Sequence, residues 1–140
     1  MRAITVEPKK SGTVRYEDFP EPDAREGSVL LEASAVAAGG TDVEIAEGEY
    51  GWAPPGKRRL VLGHESPGLT DPAPSSSLKK GDLVAGIDRR PAPVPCPNCA
   101  VGKWDMCRNG REAERGTKEI RGFMSERRSI EPRGPQKMNY

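Results

Sequence analysis

Cys96-Pro-Asn-Cys99, with Cys107 after seven intervening residues, contains all three cysteines of the chain. Two thiolates separated by two residues can bind one metal ion from a single turn, and a third on a returning loop supplies most of a tetrahedral zinc shell. Asp105, Glu112, Glu114 or a water could complete it. A disulfide between Cys96 and Cys99 is disfavoured by the odd cysteine count in a chain read as cytoplasmic. A second group is Gly63-His64-Glu65, which holds the only histidine. A neutral imidazole is a common metal ligand, and an adjacent carboxylate can bind the metal or steady the ring.

These residues need a scaffold, and the pattern around them is one of short strands. Met1–Val6 alternates and precedes a polar turn at Lys9–Gly12; Thr13–Glu17 alternates again and should pair back as a hairpin. Ser28–Val36 reads as a central strand. Ala38–Asp42 should turn tightly, with Thr41 or Asp42 capping a short helix over Val43–Glu47. Leu60–Leu62 is a short buried strand that delivers His64 and Glu65. Lys79–Asp82 is a turn feeding Leu83–Ile87, and Phe123–Ile130 is a last strand. Residues 91–107 form a separate lobe, with a short helix expected after Cys99. Ser66–Ser77 carries three prolines and reads as a break in the strand pattern, and Glu131–Tyr140 reads as a loose tail.

Six or seven short strands joined by turns, without strand–helix alternation, predict a mainly-β barrel or sandwich. Composition agrees: 140 residues hold 16 glycines and 14 prolines but only 34% hydrophobic side chains, which excludes a helical bundle. No apolar run is long enough for a membrane span, no leader is legible at Met1–Lys10, and a soluble cytoplasmic protein is expected. A net charge of +1 argues against nucleic acid as partner. The last forty residues are net basic, but aromatics are not interleaved with their charges.

Several motifs in order complete the reading. Gly40-Thr41-Asp42, Leu60-Val-Leu-Gly-His-Glu65 and Lys80-Gly-Asp-Leu-Val84 are followed by Arg89-Arg90-Pro91, the cysteine lobe, Glu114-Arg-Gly116 and Gly122-Phe-Met-Ser-Glu126. This set resembles the zinc-dependent medium-chain dehydrogenases, in particular the archaeal-type glucose dehydrogenase branch, over roughly residues 1–130. The resemblance implies a GroES-like catalytic domain, a distorted barrel with a zinc lobe at 91–108, followed by a loose tail at 131–140. It implies a catalytic zinc at His64 and Glu65, facing a Rossmann domain that binds NAD(P). By the same resemblance Thr41 binds a substrate hydroxyl and relays its proton, Glu114 contacts a sugar or polyol, and Cys96, Cys99 and Cys107 belong to a structural zinc site.

The chain also departs from the family pattern. Gly39 stands where a cysteine usually precedes Gly-Thr-Asp, leaving water or a nearby carboxylate such as Asp42 as a substitute ligand. Pro91–Pro95 stands where a fourth lobe cysteine would lie, and no G-x-G-x-x-G follows a strand. The expectation is the catalytic-domain portion of an NAD(P)-dependent sugar or alcohol dehydrogenase. It should be inactive alone, because hydride transfer needs a cofactor domain, for which a separate Rossmann-type subunit is the candidate partner. The alternative is a degenerate, non-enzymatic GroES-like zinc-binding module.

Overall fold

The first hairpin forms where the alternation places it. Strand β1 (Arg2–Val6) buries Ala3, Thr5 and Val6 and pairs antiparallel with β2 (Arg15–Asp18), Arg2 lying opposite Asp18. The other edge of β1 takes β4 (Leu60–Val61), which makes a three-stranded sheet. A computed structural model describes residues 1–23, 27, 29–65, 67–71, 78–131 and 136–137.

A five-stranded sheet runs in the order β10 (Arg127–Ile130), β3 (Val29–Ala33), β5 (Pro67–Asp71), β6 (Leu83–Ala85), β11 (Gln136–Lys137). A third sheet joins β7 (Arg89–Arg90), β8 (Ala113–Arg115) and β9 (Glu119–Ile120). Helices are short: α1 (Gly40–Glu47), α2 (Pro97–Ala100) and a 3-10 turn at Trp104–Met106. The mainly-β expectation therefore holds. Among the described residues no helix is long and apolar enough to cross a membrane.

Several local expectations change. The break read at Ser66–Ser77 contains a strand, because Pro67 takes the first position of β5, where a missing donor costs least. The Pro67 carbonyl is itself used, accepting from Ser34 Oγ at 3.3 Å and Arg128 Nη2 at 2.6 Å; Ser66 and residues 72–77 lie outside the described residues. The strand read from Ser28 to Val36 is confined to Val29–Ala33, with Ser28 outside the described residues. The helix placed at Val43–Glu47 begins at Gly40, since the Asp42 carboxylate reaches back to the Gly39 amide at 2.9 Å and satisfies its first turn. The helix placed after Cys99 instead runs through it. The tail, read as loose, contributes β11 to the edge of β6, while residues 132–135 and 138–140 lie outside the described residues.

The last strand is also shorter than Phe123–Ile130, and the reason organises the interior. Residues 122–126 cross between sheets instead of lying within one. Phe123 N donates to Gly63 O and Met124 N to Leu62 O, each at 2.8 Å, while Ile4 N donates to Met124 O at 2.8 Å and Ala33 N to Glu126 O at 2.9 Å. Adjacent side chains then enter different cores. Met124 packs with Val6, Ile45, Leu60 and Leu62; Phe123 packs with Val29, Leu31, Val84 and Ile130. The guanidinium groups of the buried Arg115 and Arg128 lie 5.5 and 5.1 Å from the Phe123 ring centre, so part of this interior is cation–π contact.

Close approach of backbones fixes this crossing. Gly63 adopts φ +91°, and a Cβ on Gly122 would stand 2.2 Å from Leu62 O and 2.5 Å from Gly63 O. Gly122→Ala should therefore lower stability by about 1–3 kcal/mol, the usual cost of forcing a methyl into filled space. Gly40→Ala, where nothing lies within 4 Å, should be neutral or slightly stabilising in helix α1. Thermal unfolding of both variants checks the contrast, and equal melting temperatures would remove the steric account.

Candidate functional site

Strand β4 and helix α1 deliver the two halves of one site, and the buried Asp42 carboxylate joins them. Its Oδ2 accepts from Gly39 N at 2.9 Å and its Oδ1 from Gly63 N at 3.0 Å. Oδ2 also lies 3.4 Å from Nδ1 of His64, an electrostatic contact rather than a hydrogen bond. The imidazole thus has the Asp42 carboxylate on its Nδ1 side, and Nε2 is the ring nitrogen nearer Gly39. Asp42, considered above as a substitute metal ligand, is instead committed to two amides and to the ring.

Gly39 faces the other side of that ring. A Cβ built on it would lie 3.3 Å from Cε1 and 3.7 Å from Nε2 of His64. The backbone there, φ −102° and ψ 179°, is extended and open to any residue. The position is therefore aimed at the imidazole but brings no donor. Glu65 follows His64 on the exposed surface and Thr41 is half-buried in the first turn of α1. Among the described residues His64 and Glu65 are not joined by a third donor into a metal-binding group.

Glu114 enters from another sheet. It lies opposite Arg89 in the antiparallel β7–β8 pair, and Arg89 Nε stands 3.5 Å from Glu114 Oε2. Two residues later the chain closes on Gly63: a Cβ on Gly116 would be 2.3 Å from Gly63 O. The strand carrying Glu114 is thereby fixed to the residue that precedes His64. Arg89 as the partner of Glu114 was not foreseen, because β7 and β8 are too short to show alternation. A cavity of about 600 Å³, lined by residues such as Phe19, Pro54, Arg59 and Arg121, contains none of the candidate residues.

The lobe gathers its thiols as the spacing predicts. One donor atom from each of Cys96, Cys99 and Cys107 lies within 4.8 Å of the others, and all three cysteines are free. Cys96 and Cys99 sulfurs are 3.6 Å apart. Zinc–sulfur bonds of about 2.3 Å in a tetrahedron place sulfurs at nearly that separation. The Arg108 amide, 3.4 Å from the Cys96 sulfur, leads the contacts that draw this thiol down to about 6. The Ala92 amide favours thiolate at Cys99, but burial and the neighbouring sulfurs push that thiol above its usual range. One sulfur ready to ionise beside two others suits a cation.

Comparison with known proteins gives the family. Residues 25–137 match the alcohol dehydrogenase GroES-like domain. The chain is 39% identical over 128 residues to glucose 1-dehydrogenase 1 of Haloterrigena turkmenica, covering 90% of this chain and 35% of that protein. It is 36% identical to glucose 1-dehydrogenase of Methanocella arvoryzae, again over 90% of this chain and 36% of the relative. Among solved structures, the Haloferax mediterranei glucose dehydrogenase in complex with NADP, zinc and gluconolactone superposes with TM-score 0.86 at 29% identity, over 99% of this chain and 39% of that one. The chain thus spans little more than a third of the length of these relatives. It belongs to the alcohol dehydrogenase GroES-like domain family, with glucose dehydrogenases among its relatives.

Proposed function

We propose that this chain is the sugar-side portion of a zinc-dependent, NAD(P)-linked sugar or polyol dehydrogenase of the glucose type, and that it turns over only with a dinucleotide-binding domain supplied by another part or subunit. The observation that carries this reading is the Asp42–His64 arrangement beside Gly39, in a chain 39% identical to a glucose 1-dehydrogenase. Asp42 orients the imidazole. Thr41, at the start of the same helix, is the hydroxyl that would meet a substrate hydroxyl and pass on its proton. Glu114, restrained by Arg89, is the carboxylate for a further sugar hydroxyl. A zinc at His64 and Glu65 would supply Lewis acidity that favours the alkoxide. This donor set is one short of the usual three protein ligands, because position 39 has no side chain.

In the lobe the residues fit zinc better. Cys96, Cys99 and Cys107 would hold it, with a structural role: Ala92, Cys96 and Cys99 are the lobe's buried core, with the partly buried Trp104 and Cys107 packed against them. A core this small gains most of its order from a bound ion.

Gly39 also favours a second reading, a GroES-like module that keeps a zinc lobe but no longer catalyses. One pair of measurements separates the two. The purified 140-residue chain should not reduce NAD or NADP with glucose, since hydride transfer needs a dinucleotide site to hold donor and acceptor at roughly 3–3.5 Å, and no G-x-G-x-x-G follows a strand in its sequence. Adding a dinucleotide-binding partner should produce turnover under the first reading and none under the second. Turnover by the chain alone would overturn both.

Gly39→Cys should introduce a thiol beside His64 at modest cost, the ring edge yielding a few tenths of an ångström. It should raise the stoichiometry of tightly held zinc from one per chain to two, while the lone chain stays inactive. Metal analysis after dialysis reads the first result, and unchanged stoichiometry would mean that position 39 does not point into a metal site.

A further inference from the structure

Three thiols make three corners of a tetrahedron, and the structure separates the carboxylates that could occupy the fourth. Asp105 is exposed on the 3-10 turn. Glu114 is committed to Arg89. Glu112 differs from both. Its Oε2 is buried without a hydrogen-bond partner among the described residues, while its Oε1 lies 3.2 Å from Lys118 Nζ. A buried carboxylate oxygen with no partner costs free energy that a cation would recover.

We propose that Glu112 Oε2 is the fourth ligand of the lobe metal, which gives a donor set of three sulfurs and one oxygen. This rests on the reading that the lobe binds zinc. The carboxylate stands against Cys107 but outside the 4.8 Å envelope of the three sulfurs, so its side chain would have to turn toward them to reach a shared ion. Lys118 occupies the other oxygen and so favours monodentate binding. The same ammonium donates to Gly110 O at 2.6 Å and lies 5.9 Å from the Trp52 ring centre, which fixes it independently of Glu112. Charge agrees with this role. Three thiolates and a carboxylate around a divalent ion leave an excess of two negative charges, and Lys118 removes one. The Arg108 amide softens a further sulfur charge through its contact with Cys96.

The test titrates the full chain and three variants with zinc against a chromophoric chelator, and with cobalt(II) as a spectroscopic probe. Glu112→Gln should weaken zinc binding roughly 10–100-fold, at least the loss seen for residues that only support a ligand. Glu112→Cys should bind as tightly as the parent or better and raise thiolate-to-cobalt charge-transfer absorption by about a third, from three sulfurs to four. Asp105→Asn should bind as the parent does. Parent-like zinc affinity in Glu112→Gln, or parent-like charge transfer in Glu112→Cys, would overturn the assignment, the second measurement standing even if Glu112→Gln does not fold. A larger loss in Asp105→Asn than in Glu112→Gln would transfer the role to Asp105. A parent chain that binds no zinc would remove the lobe reading itself, a result distinct from loss of Glu112 alone.

Discussion

Everything near His64 depends on backbones that meet without side chains between them. Gly63 bends at φ +91° where the segment after β4 is crossed by residues 122–124 and touched by Gly116. Three parts of the chain share that point: the first sheet through Leu62, the third sheet through Gly116, and the crossing segment whose Phe123 and Met124 fill two separate cores. Protein interiors are packed too densely to absorb a methyl group at such a point. The position of the imidazole is accordingly a property of the whole domain and not of a flexible loop.

Upon that frame the Asp42 carboxylate performs an unusual amount of local ordering for one side chain. It ends the loop before α1 by accepting from Gly39, anchors the turn before His64 by accepting from Gly63, and sets a charge behind the ring. Its burial is tolerable because both oxygens find amides. The glycine at 39 is the complementary feature: its amide serves this network while its missing side chain leaves the ring's other side open.

The parts of this arrangement legible in the sequence are those with local signals. The β1–β2 hairpin follows from alternation around Lys9–Gly12, and the thiol cluster from the spacing of Cys96, Cys99 and Cys107. The order of motifs from Gly40 to Glu126 pointed to the family that residues 25–137 match. What escaped was decided by contacts distant in the chain. Strand β5 begins at a proline and is held by β3 and β6 on either side, so its own residues argue against it. Strands β7, β8 and β9 have two or three residues each and no period to detect. Residues 123–126 look like the start of a strand but are drawn across two sheets by partners 60 or more positions earlier in the chain. The pairing of Glu114 with Arg89 depends on a register that no local pattern encodes.

The closeness of Cys96 and Cys99 has a consequence for the lifetime of the lobe. Sulfurs 3.6 Å apart, one with its pKa drawn down to about 6, need approach each other only to about 2.05 Å to bond. An ion bound by both sulfurs would engage the lone pairs through which they would otherwise react. Without an ion, a peroxide could take two electrons from the pair, leaving as water, and would close the site by a covalent bond. Departure of the ion under oxidising conditions would then act as a ratchet: the lobe could be refilled only after a reductant reopened it, and its occupancy would record the redox history of its surroundings as well as the supply of metal.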